Sequence, residues 1–286
     1  MKMDDVETPQ SWQKAAYQRF KQNRLAIVGM TILGILVFMA LIGPLISGYT
    51  YYDLQLEMKN QPPSLQFWFG TDELGRDLFT RVWYGARISL FVGITAAIID
   101  VAIGILWGSI AAYAGGIIDE VMMRIADILY ALPYLLVVTL LMVVMGSGLI
   151  PIIAAMTVIG WITMARIVRG QILQLKEYEF VLAAKALGLG KRRILFRHLL
   201  PNALGPIIVT LTLTIPSAIF VEAFLSFLGL GIQAPVASWG TMVSEGLAAL
   251  HYYPWRLFFP AFFVCITILS FNLIGEGLRD ALDIKS

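Results

Sequence analysis

One cysteine, two histidines and a 14% share of charged residues are all that this 286-residue chain offers for covalent bridges, metal sites or a wetted surface. Cys265 alone cannot close an internal disulfide and is read as packing, while His198 and His251 are too few and too separated for a metal site. A soluble domain carries about 25% charge, so the polar surface here is too small to wet a globule. No phosphate-binding loop is present: Gly190-Lys191 is followed by Arg192 rather than Ser or Thr, and Lys185 stands where the upstream glycine belongs. Ser217 and Ser226 lack a His/Asp constellation, which leaves nucleophilic catalysis without support.

What the chain has in quantity is hydrocarbon. The residues AVILMFWYC make up 58% of it, and the 25 glycines bring the apolar share to about two thirds, against about 45–50% in soluble domains. These proportions exclude a disordered chain and indicate a membrane protein. A helix needs roughly 20 apolar residues to cross about 30 Å of hydrocarbon. About six stretches qualify, near 25–46, 88–113, 122–145, 149–168, 206–230 and 257–278. The first is too long for the apolar core of a signal peptide and is read as a retained helix. Pro133, Pro216 and Pro260 predict local kinks in an all-α bundle.

The basic residues set an expected orientation. With the N-terminus in the cytoplasm, 16 of the 21 Lys and Arg fall inside, and eight of these lie between Arg166 and Arg197. Both termini are therefore expected to be cytoplasmic. An arm at 1–23 precedes a single membrane domain at 24–286; its Trp12, Tyr17 and Phe20 suit either an interfacial helix or a frayed extension. An outer loop at about 47–87 carries Gly70-Thr71-Asp72-Glu73, where Thr71 is expected to cap a helix with acids in its first turn. An outer hairpin at about 232–256 places Trp239, Tyr252, Tyr253 and Trp255 in an expected aromatic belt.

The most informative segment is the cytoplasmic loop, about 169–205. Within it, residues 176–202 (KEYEFVLAAKALGLGKRRILFRHLLPN) predict two short helices, Glu177 to Leu187 closed by Gly188, and about Lys191 to Leu200 closed before Pro201. Phe180, Ala183, Ala184 and Leu187 form one apolar stripe, rimmed by Lys191, Arg192, Arg193 and Arg197. Such a stripe fits either a groove on another protein or an anionic lipid surface. The charges are too few, and too close to the membrane, for a nucleic-acid module.

The run Ala183-Ala184-x3-Gly188, then Arg193-Ile194 and Arg197-His198-x2-Pro201-Asn202, resembles the cytoplasmic "EAA" coupling loop of binding-protein-dependent ABC importers. Three further blocks, GTDELGRDLFTRVWYGARIS at 70–89, EAFLSFLGLGIQAPVASWGTM at 222–242 and FNLIGEGLRDALD at 271–283, resemble the C-type permease subunit of dipeptide and oligopeptide importers. The sequence departs at Leu182, which occupies the position of the motif's glutamate, so no partner salt bridge is assigned there.

The resemblance implies a multi-pass subunit of a bacterial or archaeal plasma (inner) membrane that pairs with a second homologous permease. It implies two cytoplasmic ATPase subunits that bind ATP and Mg, and an extracytoplasmic substrate-binding protein that docks on the outer loops. The chain itself would hold no cofactor and catalyse no covalent chemistry. Phe180, Ala183, Ala184, Leu187, Gly188, Arg193, Arg197 and Pro201 would form the ATPase-coupling surface. The substrate is left open among dipeptides, longer peptides, nickel chelates and glutathione.

Asp100, midway along the second span, and Glu222, in the outer half of the fifth, are pathway candidates because an intramembrane carboxylate should face a wet cavity or the bundle interior. A structural hydrogen bond or the contact with a second permease is the competing reading for both. Asp127 and Glu276 lie nearer span ends and are expected to be interfacial or paired. Asp119 and Glu120 are expected near a helix start. The rival function is an ion-coupled secondary transporter with Asp100 and Glu222 as ion sites; a non-transporting scaffold would have no use for such carboxylates.

Overall fold

A computed structural model describes residues 9–282, with side chains for residue 14 and residues 16–282. The expectations that involve the Trp12 side chain, Lys2, Asp283 and Lys285 lie outside the described residues. The described chain is helical, without strands. Five helices are long and apolar enough to cross a membrane, and a bent pair makes a sixth candidate, in agreement with the expected all-α bundle of about six spans.

Helix α1 (Pro9–Gln22) leads into α2 (Arg24–Ile46), whose N-cap Asn23 accepts a hydrogen bond from Ala26 N. The second span, α3 (Leu78–Ala114), has 37 residues and is about 55 Å long at 1.5 Å per residue. It begins ten residues before the apolar run does. Arg81 and Arg87 keep that first stretch out of any apolar reading, yet both are paired inside the fold, Arg81 with Asp72 and Glu245 although its Nε has no partner among the described residues. Arg87 donates through Nε to Ala40 O at 2.5 Å and through Nη2 to Leu41 O at 2.7 Å. The helix cap is Asp77, which accepts from Thr80 N at 2.8 Å. Thr71 caps nothing; it lies in an isolated bridge with Asp77 and donates to Met58 O.

The expected third span is broken. Helices α4 (Gly116–Ala131) and α5 (Tyr134–Met145) meet at an angle of 84°. Pro133 is the cause: it disfavours the helical region at the preceding residue, and Leu132 is extended at φ −71°, ψ 137°. Helix α5 has 12 residues, about 18 Å, too short to cross hydrocarbon alone.

Helix α6 (Leu149–Leu175) packs lengthwise on α3. The loop helices α7 (Glu179–Ala186) and α8 (Lys191–Ile194) follow. No separate second loop helix ends at Pro201. Instead α8 passes through a widened π turn, Leu195–Leu199, into α9 (Leu200–Phe227), giving one run from 191 to 227. In that turn Leu200 N–H bonds Leu195 O, and the Asn202 side chain donates to His198 O at 2.6 Å. Pro201 has no N–H to bond within the preceding turn, and the wider winding accommodates it.

Helix α10 (Trp239–Ala248) and α11 (Trp255–Leu282) complete the fold. Residues 47–77 and α10 meet at one end of the bundle, called here the α10 face; α7 marks the opposite end. Trp239, expected in an interfacial belt, is fully buried and donates its indole N–H to Val82 O at 3.0 Å. Tyr252 is exposed.

Candidate functional site: loop helix, membrane cavity and end clamp

Helix α7 closes through Gly188, in the left-handed region at φ 72°, with Leu189 N–H bonded to Ala184 O and Gly188 N–H to Lys185 O. Its apolar residues divide between two faces. Val181 and Ala184 are buried with Ile172, Leu175, Ile194, Leu195 and Leu199 of the same chain. Phe180, Ala183 and Leu187 are exposed, Leu187 at 81%. The expected four-residue docking stripe is thereby corrected. At 100° per residue, Ala184 stands at the stripe's edge nearest Val181 and is used to hold the helix to the bundle. Lys191, Arg192, Arg193, Phe196, Arg197 and Pro201 line an open groove beside it.

Three contacts that the sequence did not disclose tie the α7 end together. Lys176 Nζ donates to Ala112 O at 2.9 Å, meeting a free carbonyl near the end of α3. Arg169 grips Asp119 with both nitrogens, at 2.6 and 2.7 Å. Arg166 pairs with Asp127 at 2.8 Å and lies over the Tyr130 ring. Asp119 does stand in the first turn of α4, as expected.

Inside the bundle, a cavity of about 450 Å³ is lined by Asp100 of α3, Tyr134 of α5, Thr163 of α6 and Thr210, Thr214 and Ser217 of α9. Asp100 is 6% exposed, and its Oδ1 is buried without a hydrogen-bond partner. Gly160 is what admits the carboxylate: a Cβ there would lie 2.2 Å from Asp100 Oδ2. Glu222 sits elsewhere. It is fully buried outside the cavity, accepting from Ser89 at 2.9 Å and from Ser226 at 2.8 Å. Ser89 in turn accepts from Trp239 N, joining α3, α9 and the start of α10. The two carboxylates paired as pathway candidates thus differ: Asp100 borders open space, and Glu222 is held in a polar joint between helices.

At the α10 face, the charges of the 70–89 block gather into a clamp. Asp72, 1% exposed, accepts from Leu74 N, Arg76 N, Arg76 Nε at 2.6 Å and Arg81 Nη1. Burial pushes its carboxyl up, but Arg81 and Arg76 beside it and the backbone N–H groups outweigh burial and hold it below the usual carboxylate range. Burial raises Asp77 against the hydrogen bonds of Thr80. Gly75, at φ 75°, lies so close to Gln55 O that no side chain fits. Arg81 also reaches Glu245 at 3.1 Å, and Arg256 reaches Glu73 at 2.8 Å. The first pair binds the start of α3 to α10, and the second binds the 47–77 segment to α11.

Long apolar helices, a half-open and mostly apolar cavity bordered by Asp100, and a loop helix with an uncovered apolar face at one end are features of a membrane subunit of a transporter. The chain belongs to the family of binding-protein-dependent transport system inner membrane components, whose family model matches residues 104–285. A second match, at residues 11–63, is to the N-terminal TM domain of oligopeptide transport permease C. It is accordingly a multi-pass inner-membrane protein of the ABC importer permease class, and the secondary-transporter reading is not favoured. The Bacillus subtilis oligopeptide transport system permease protein OppC is 60% identical over 272 residues, 95% of this chain and 89% of that protein. The B. subtilis dipeptide transport system permease protein DppC is 58% identical over 286 residues, 99% of this chain and 89% of that protein. OppC of Escherichia coli K12 is 44% identical, covering 98% and 93%. A chain of the inward-facing methionine ABC transporter MetNI shares the fold, with a TM-score of 0.56 at 19% identity over 72% of this chain and 96% of that one.

Proposed function

We propose that this chain forms half of a translocation pathway for dipeptides or oligopeptides, paired with a second homologous permease. Its α7 end lies in the cytoplasm and its α10 face outside, following the distribution of basic residues. Two separate ATPase subunits bind and hydrolyse ATP with Mg, and the chain performs no covalent chemistry. An extracytoplasmic binding protein delivers substrate at the α10 face, and no nucleic acid is involved.

The observation that carries this reading is the divided face of α7. Val181 and Ala184 hold the helix to the bundle while Phe180, Ala183 and Leu187 stay uncovered beside Arg193, Arg197 and Pro201. A helix so mounted transmits a push from a docked ATPase subunit to the bundle, and rigid-body rocking then alternates access to the pathway. Replacing Ala183 by Arg places a charge in the proposed contact without entering the core. Receptor-stimulated ATP hydrolysis and uptake should both fall sharply in the purified transporter. Unchanged uptake, with the ATPase subunits still bound, would instead place this face on lipid.

A further inference from the structure

We propose that the recess around Asp100 binds a primary ammonium group of the substrate as it crosses the membrane. The inference rests on the peptide reading above and adds a subsite to it. Of the five lining hydroxyls, three have spent their protons on the protein, and those of Tyr134 and Thr163 can still donate. Thr210 spends its hydroxyl proton on Pro206 O at 2.8 Å, Thr214 on Thr210 O at 2.8 Å and Ser217 on Leu213 O at 3.1 Å. A hydroxyl has one proton to give, so what these side chains can still offer a ligand is oxygen lone pairs. The carboxyl of Asp100 adds further acceptor oxygens and has no cation beside it among the described residues. An ammonium, with three donors and no acceptor, is the complement of such a wall. A substrate carboxylate is disfavoured by Asp100 itself. With Oδ1 of Asp100 buried, a planar guanidinium lacks the two-oxygen edge on which its fork closes. A metal ion has no support, since no group of three His, Cys, Asp or Glu residues gathers among the described residues. Gly160 leaves room for this carboxyl, and a buried carboxyl oxygen kept without a partner is costly unless something arrives to pair with it.

The test uses the complete transporter, with its binding protein and ATPase subunits, in proteoliposomes. Uptake of a lysine-free alanyl peptide and of a lysine-containing peptide is measured beside receptor-stimulated ATP hydrolysis. Asp100→Asn should slow uptake by about tenfold or more and Thr214→Val by about threefold, with stimulated hydrolysis retained in both. A loss shared by the two peptides identifies the amino terminus as the ammonium bound; a loss confined to the lysine-containing peptide identifies the side chain. Wild-type uptake in both variants overturns the site, and so does hydrolysis that falls in step with uptake, because that marks a structural role. A wild-type transporter that takes up neither peptide overturns the peptide reading itself.

Discussion

Arg87 of α3 supplies α2 with the hydrogen bond that Pro44 cannot make. In an α-helix the N–H of residue 44 would bond Ala40 O; proline has none, and Arg87 Nε occupies the place at 2.5 Å while Nη2 takes Leu41 O at 2.7 Å. The two spans are joined at the point where one of them is broken.

Arg87→Met should therefore lower stability by about 1–3 kcal/mol, because the carbonyls lose a charged donor. Pro44→Ala restores an N–H at position 44 and should recover part of that loss in the double variant. Thermal unfolding of the four proteins in detergent measures the coupling, and purely additive effects would refute it.

Asp72 and Glu245 both pair with Arg81 but should respond differently. Asp72→Asn leaves buried Arg76 and Arg81 with only the part-exposed Glu245 as a carboxylate partner, at a cost of about 3–5 kcal/mol. Glu245 has a side chain about one third exposed, so Glu245→Gln should cost under about 1 kcal/mol. Chemical denaturation of the two variants separates them.

The same clamp predicts a pH dependence. The Asp72 carboxyl is held below its unfolded value, about 3.9. Its contribution to stability is present above that value and lost as pH falls through the lowered folded value. Hydrogen exchange across 55–77 should rise on acidification below about pH 4, and Asp72→Asn should abolish the acid-dependent part of the change.

Glu222→Gln should leave peptide preference intact and lower the melting temperature, since the side chain serves the Ser89–Ser226 joint rather than the cavity. Glutamine has one acceptor oxygen for the two serine hydroxyls that Glu222 accepts from, and leaving one of them unpaired costs about 1–3 kcal/mol. A change in preference without a change in melting temperature would return Glu222 to the pathway.

Ala184 and Leu187 offer the corresponding contrast on α7. Ala184→Leu should overpack its cluster by about 1–3 kcal/mol. Leu187→Ala should leave melting unchanged and weaken retention of the ATPase subunits during purification.

Hydropathy located the spans because crossing hydrocarbon demands apolar length, and that demand is written locally. It misplaced the start of α3 because Arg81 and Arg87 count as charge in a sequence, while in space Asp72 and the carbonyls of α2 pair with them. It joined α4 to α5 because composition carries no angle; Pro133 predicted a kink, but nothing in the sequence made that kink a corner of 84°. The loop helix was legible from its spacing and its motif. Which side of it faces inward was not, because Ala184 differs from Ala183 through a cluster that includes Ile172 and Leu175 before the loop and Ile194 and Leu199 after it. Asp100 stood out as a carboxylate among aliphatic residues. That Thr210, Thr214 and Ser217 offer acceptors near it depends on where their protons point, which no spacing rule reports.

Helix α3 runs unbroken from the Asp72–Arg81 clamp at one end to the Lys176–Ala112 contact at the other. A rod of that kind acts as a see-saw. A tilt of about 5° around the middle of roughly 55 Å displaces each tip by about 2.4 Å in opposite senses. A small nudge to the loop helix would therefore arrive across the bilayer undiminished and reversed in direction, with no chain of side-chain rearrangements in between.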